Sequence, residues 1–338
     1  MNSFGRVFRL HIFGESHGPC VGITLDGCPA GLPLTAEDFV TDIERRKGGI
    51  QKGTTPRKED DIPIFQSGWF NGFTTGAPLT IIFENNNTRS EDYARQRAVP
   101  RPGHADWVAG IKFGGFEDFR GGGHFSGRLT VALVGAGVIA KKLLQYYAQQ
   151  SATTLSIQAT IDEIGGEKNM EAGLQKAIDA KDSIGGIVSC CVKGLPIGLG
   201  EHFFDSVESL LAHAVFAIPA IKGIEFGAGF AAAKMFGSEH NDALLDNKGT
   251  FISNNAGGIL GGLTTGADLV FRVSVKPTSS TPKEQQTWSS ETDTVVPFSV
   301  KGRHDLCIAL RVPVVLEAVT AVVLADLLMI DRKIPARL

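Results

Sequence analysis

The sequence predicts an α+β fold, internally duplicated, with sheets packed together and helices outside. Three observations lead there. Apolar strand-like runs and longer helix-like runs alternate in the same order in both halves of the chain. Short matched segments recur at offsets that only grow along the chain. Glu15–Gly18 meets Asp182–Gly185 and Gly27–Leu32 meets Gly194–Leu199, both at 167; Thr74–Leu79 meets Thr264–Leu269 at 190; Gly103-His104 meets Arg303-His304 at 200. Finally, 338 residues with 43% hydrophobic content suffice for one large core. A single domain over 1–338 follows, with halves near 1–150 and 175–338.

The first half opens with strands over Val7–Phe13 and Val21–Leu25, then a Gly/Pro turn. A capping-box-like Thr35-Ala-Glu-Asp38 starts a helix that buries Phe39, Val40 and Ile43 and stops at Gly48-Gly49. A strand over Leu79–Phe83 and a long apolar helix near 128–148 complete the unit. The second half repeats this plan: a strand over Gly186–Val192, a helix from about Asp205 carrying Val207, Leu210, Leu211 and Val215, a strand over Leu269–Val275, and an apolar helix near 313–330. Polar stretches at 45–60, 236–256 and 281–296 read as loops, either covers over a site or plain surface insertions. Gly135-Ala-Gly-Val-Ile lies inside a helical run, so its glycines suit close helix packing rather than a dinucleotide turn.

The net charge of −3 argues against nucleic-acid binding, so any anion site is a local cluster of cations. No stretch reads as a membrane span or signal peptide, and five sparse cysteines without zinc-type spacing fit reduced thiols in the cytoplasm. No histidine pair has metal-site spacing, and no metal is expected.

Four glycine-flanked turns each carry a histidine: Gly14–Gly18 with His17, Arg101–Asp106 with His104, Arg120–Arg128 with His124, and Lys301–Asp305 with His304. Glycine lets backbone approach a ligand, histidine moves protons near neutral pH, and arginine forks onto phosphate and carboxylate. This combination suits a phosphorylated anion with proton transfer at its centre. The triple glycine 121–123 before a helix exposes backbone N–H groups to an anion, although a tight connector would look the same. The basic run Arg45–Lys47, Lys52, Arg57, Lys58 is either a solvated helix end or a set of cations closing over substrate. Lys276–Ser280 follows a strand with three hydroxyls suited to phosphate.

In this order the motifs resemble those of the chorismate synthase family. The matching segments are Phe13–Gly18, Asn85–Tyr93, Arg101–Asp106, Arg120–Arg128, Asn255–Gly262, Lys276–Ser280 and Gly302–Cys307, which span nearly the whole chain. The resemblance implies a β-α-β sandwich with two antiparallel sheets and helices outside, usually a homotetramer. It implies 1,4-elimination of phosphate from 5-enolpyruvylshikimate 3-phosphate, with reduced FMN (FMNH2) and no net redox change; NADPH or an external reductant would supply the reduced flavin. His17 then corresponds to the group that protonates departing phosphate, and His104 to the one that manages flavin charge. Asp305 corresponds to the aspartate that, with the flavin, removes the C6 proton. Arg46, Lys52, Arg101 and Arg128 fall at substrate-binding positions. His124, Phe125, Ser126, Pro219, Ala220, Gly261, Lys276, Pro277, Thr278, Ser279, Ser280 and Arg303 fall in flavin-binding segments. Departures from the family pattern are His124, Phe125 and Gly127 in the glycine loop, Lys52 for arginine, Leu306 for proline and Pro219 for asparagine.

Overall fold

The computed structural model describes residues 2–49, 53–54, 59–87, 97–300 and 305–338. Fifteen strands and seven α-helices are found among them. The first sheet is antiparallel, with order β1 (Ser3–Phe4), β2 (Arg9–Gly14), β3 (Cys20–Asp26), β7 (Leu79–Glu84), β4 (Ile64–Ser67). The second, also antiparallel, runs β10 (Ile221–Phe226), β13 (Leu269–Val275), β9 (Gly186–Lys193), β8 (Ser156–Ile164). Three hairpins stand apart: β5 (Trp69–Phe70) with β6 (Phe73–Thr74), β11 (Ile259–Leu260) with β12 (Leu263–Thr264), and β14 (Gln285–Ser289) with β15 (Thr294–Phe298).

Strand alternation sets which face is buried. Leu79, Ile81 and Phe83 of β7 point inward, as do Leu269, Phe271, Val273 and Val275 of β13. What they meet corrects the expected arrangement. The sheets do not pack on each other with helices outside. Helices α3 (Thr130–Gln150) and α7 (Val312–Ile330) lie between them, α3 against β3 and β7 and α7 against β8 and β9. The reason is compositional: both helices are apolar on nearly every face, and such helices belong in a core. Both are also long and apolar enough to cross a membrane, yet most of each is buried inside the protein. Gly137 sits at their crossing, where a Cβ would lie 2.3 Å from the Cβ of Ala318. Gly135 faces the Phe83 ring instead. Both glycines serve close packing, as the sequence indicated.

Helices α1 (Glu37–Arg46) and α5 (Val207–Val215) flank this central pair, α1 on α3 and α7, α5 on α7. Asp38 accepts from the Thr35 N–H at 2.8 Å, and Ser206 caps α5 by accepting from Ser209 N–H at 3.1 Å. Phe39 and Ile43 are buried; Val40 is not, because it falls on the outer face of α1. The remaining helices are α2 (Asp106–Phe113), α4 (Met170–Ala180) and α6 (Gly237–His240). The segment 281–296, read as a loop, is largely the β14–β15 hairpin. It closes a small core of Val99, Phe298 and Val300.

The matched sequence segments take matched places. Thr74 Oγ1 donates to the Pro29 carbonyl and accepts from Leu32 N–H, and the Thr74 carbonyl accepts from Gly31 N–H. Thr264 makes the same three bonds with Pro196, Leu199 and Gly198. The strand orders β2-β3-β7-β4 and β8-β9-β13-β10 correspond in the same way.

Candidate active site

The N-terminal ends of α3 and α7 and the C-terminal ends of α1 and α5 meet around a cavity of about 520 Å³. The positive ends of the α3 and α7 dipoles face it and favour an anion there. Of the expected site residues, Arg46, Arg101, His104, His124, Phe125, Ser126, Arg128, Pro219, Ala220, the whole segment Lys276–Ser280, and Asp305 line its wall. His17 lies one layer behind. Gly261, at the tip of the β11–β12 hairpin, is not part of the wall. Lys52 and Arg303 lie outside the described residues.

The glycine triplet organises the wall. Gly121 and Gly122 both have positive φ (61° and 83°), which side chains rarely adopt. A Cβ on Gly121 would lie 2.5 Å from Cδ2 and 2.6 Å from Nε2 of His17. A Cβ on Gly122 would lie 2.9 Å from Cε1 and 3.1 Å from Nε2 of His104. Both histidines therefore press on adjacent glycines from the space that side chains would otherwise fill. Backbone bonds hold the loop to the His17 turn, with Ser16 N–H donating to the Gly123 carbonyl at 3.1 Å. His124 Nδ1 lies 2.8 Å from the Gly14 carbonyl and donates to it, since that oxygen only accepts.

Carboxylates that the sequence reading did not select fix the cations. Asp61 is 3% exposed and bridges Arg46, at 3.0 Å, and Arg128. Arg46 also donates to Thr130 Oγ1 at 3.0 Å. Burial opposes the Asp61 charge, but Arg46 and Arg128 outweigh it and hold the carboxyl below its ordinary range. For Arg46, burial and then Arg311 work against the charge, with Asp61 opposing them. Asp106 takes two bonds of 2.7 Å from Arg101 and lies 2.6 Å from His104 Nδ1. Burial opposes its charge, and these bonds outweigh it, holding the carboxyl far below the usual range. His104 Nδ1 also lies 3.1 Å from a guanidinium nitrogen of Arg101, and Nε2 is on the Gly122 side. Arg311, also missed, donates to Asp305 at 3.2 Å and to the Arg46 carbonyl at 2.8 Å.

The second half supplies the facing wall. Lys276 Nζ donates to the Gly103 carbonyl at 3.0 Å and to Ser279 Oγ at 2.8 Å, and burial lowers its pKa. Two hydroxyls of the wall, Ser16 Oγ and Thr278 Oγ1, are buried without a hydrogen-bond partner. Buried polar atoms are normally paired; these two are available to a polar ligand. Among the described residues, no group of three histidine, cysteine, aspartate or glutamate side chains could hold a metal ion.

Paired cations and His104 line one cavity of this three-layer α+β protein, with His17 behind the wall, an arrangement suited to an anionic ligand. Similarity to known proteins narrows the class. The chorismate synthase family model matches residues 8–329. The chain is 66% identical over 333 residues to chorismate synthase of Chitinophaga pinensis, covering 98% of each. It is 45% identical over 350 residues to that of Dehalococcoides mccartyi, covering 96% of each. A crystal structure of chorismate synthase matches with a TM-score of 0.74 at 26% identity, over 97% of this chain and 93% of the other. The chain belongs to the chorismate synthase family and is a carbon–oxygen lyase of aromatic biosynthesis.

Proposed function

We propose that this enzyme forms chorismate from 5-enolpyruvylshikimate 3-phosphate by 1,4-elimination, losing phosphate from C3 and a proton from C6. The convergence of His17 and His104 on Gly121 and Gly122, at the wall that also holds Arg101, Arg128, Lys276 and Asp305, carries this reading. Arg101, Arg128 and the two helix N-termini hold the anionic groups of the substrate. His17 protonates the departing phosphate, which then leaves as a weaker base. Asp305 receives the C6 proton, held in place by Arg311. His104, oriented by Asp106, offers Nε2 to ligand charge beside Gly122.

Reduced FMN fits the wall as cofactor. The unpartnered Ser16 and Thr278 hydroxyls, the Gly121 backbone at the wall and Lys276 suit a polar, phosphorylated molecule. When bound, reduced flavin supplies electron density that offsets the weak acidity of the C6 proton. No nicotinamide motif is present in the sequence, which favours an external source of reduced FMN over reduction by NADPH on the enzyme.

The enzyme is cytoplasmic and assembles as a homotetramer, about four times the 36.0 kDa chain, which light scattering measures directly. Internal duplication of the sandwich accounts for the recurrence of the Thr74 bonds at Thr264 and for the two like strand orders.

The test is anaerobic turnover of 5-enolpyruvylshikimate 3-phosphate with chemically reduced FMN. Chorismate is the expected product. No turnover by folded protein with FMN saturating would overturn the reading. Chorismate from oxidised FMN plus NADPH would show that the enzyme reduces its own flavin.

A further inference from the structure

Asn85 opens a sequence motif that the proposed chemistry leaves without a role. Its side chain sits between two parts of that chemistry. Nδ2 donates to the Glu15 carbonyl at 3.0 Å and to the Gly18 carbonyl at 2.8 Å. These two carbonyls flank Ser16 and His17. Oδ1 accepts from Arg128 Nε at 2.8 Å. The amide orientation is unambiguous, because carbonyls only accept and a guanidinium only donates. The backbone is tied too, with Asn85 N–H donating to the Pro19 carbonyl at 3.1 Å.

Arg128 continues the chain of bonds. It donates to the Glu84 carbonyl at 3.0 Å and to Asp61, which in turn binds Arg46. One amide thus links the turn that carries His17 to the guanidinium pair that faces the cavity. We propose that Asn85 is a positioning residue: it fixes the His17 turn relative to Arg128, and so the proton donor relative to the phosphate that Arg128 holds. The inference rests on the reading of His17 as the proton donor.

A bare structural brace would act on stability, or on both ligands, without regard to His17. A positioning residue acts through His17, and a double-mutant cycle separates the two. Asn85→Asp keeps the acceptor for Arg128 and loses both donors, placing a carboxylate against two carbonyl oxygens. Misplacing a catalytic group by about 1 Å can lower the rate by about 100-fold. Asn85→Asp is therefore expected to lower kcat by about that factor, with substrate KM and FMN affinity close to wild type. In the His17→Ala background the same change should have almost no further effect on single-turnover rate. A second loss of full size in that background would overturn the proposal. Wild-type turnover by His17→Ala alone would overturn the reading of His17 and the proposal with it. Should Asn85→Asp not fold, Asn85→Ala carries the same cycle. An independent readout is the His17 imidazole NMR signal, assigned by its loss in His17→Ala. It should shift in the Asn85 variant while the His104 signal stays; an unmoved His17 signal would also overturn the proposal.

Discussion

Asp61 is enclosed between two guanidinium groups that are themselves enclosed, Arg46 at 3% and Arg128 at 6% exposure. Removing Arg46 leaves Asp61 paired with Arg128 and deletes the Arg46 hydrogen bonds to Asp61 and Thr130. Arg46→Ala is therefore expected to raise substrate KM and also to destabilise the fold, by about 2 kcal/mol. Steady-state kinetics and denaturant titration check the two effects separately, and an unchanged KM would confine Arg46 to a structural role. His17→Ala and Asp305→Ala belong to a different kind of change. Each should lower kcat while FMN binding, measured by fluorescence quenching, stays as in wild type. Wild-type turnover by either variant would remove that residue from the mechanism. The sequence marks His17, His104 and Arg101 locally, in glycine turns; Arg101 and His104 line the cavity and His17 lies behind its wall. Asp61, Asn85 and Arg311 were not legible as site residues. Each acts through a partner far along the chain, Asp61 on Arg128 and Arg311 on Arg46, and no local pattern signals such a contact.

Helices α3 and α7 show what patterning tells and what it leaves open. Their positions were read correctly, near 128–148 and 313–330, because long apolar runs free of breakers give few alternatives. Their place was reversed. Helices apolar all round carry no stripe to orient them, and that same property belongs between two sheets rather than outside them. Within the layer, Glu317 of α7 is buried and binds Arg45 through two bonds of 2.7 and 2.8 Å, Lys141 at 3.0 Å and Ala159 N–H at 3.0 Å. One carboxylate thus joins α1, α3 and β8 to α7. The helix crossing depends on Gly137 in a simpler way. Gly137→Leu has no room beside Ala318 and is expected to cost about 3 kcal/mol by overpacking. Gly127→Ala is the control: nothing lies within 4 Å of its Cβ position and its φ is not positive, so stability should be unchanged. Melting temperatures of the two variants decide the matter. Equal losses would mean that the crossing distance is not what Gly137 preserves.

Across the whole molecule, a net charge of −3 hides a cavity in which each arginine of the wall has a carboxylate partner: Arg46 and Arg128 with Asp61, Arg101 with Asp106, Arg311 with Asp305. Such pairing lets a chain without bulk positive charge gather cations for an anionic ligand, and it links folding to pH. For Asp61, Asp106 and Glu317, burial opposes the charge, but cation pairing prevails and the folded pKa lies below its ordinary value. A carboxyl of this kind binds its proton more readily in the unfolded chain. Its contribution is complete above the unfolded value, about 4, and is lost as pH falls through the folded value. Unfolding free energy should therefore be level with respect to these groups between about pH 5 and 7 and fall steadily below about pH 4. Asp106→Asn removes one of the three charges and replaces one of the two oxygens that face Arg101 and His104 with a donor. This variant should be less stable at pH 7 and lose less on going to pH 3. Denaturant titrations at both pH values measure the two losses. An equal acid loss in wild type and Asp106→Asn would show that the Asp106 pair contributes nothing to the pH dependence, and that the acid sensitivity belongs to Asp61 and Glu317.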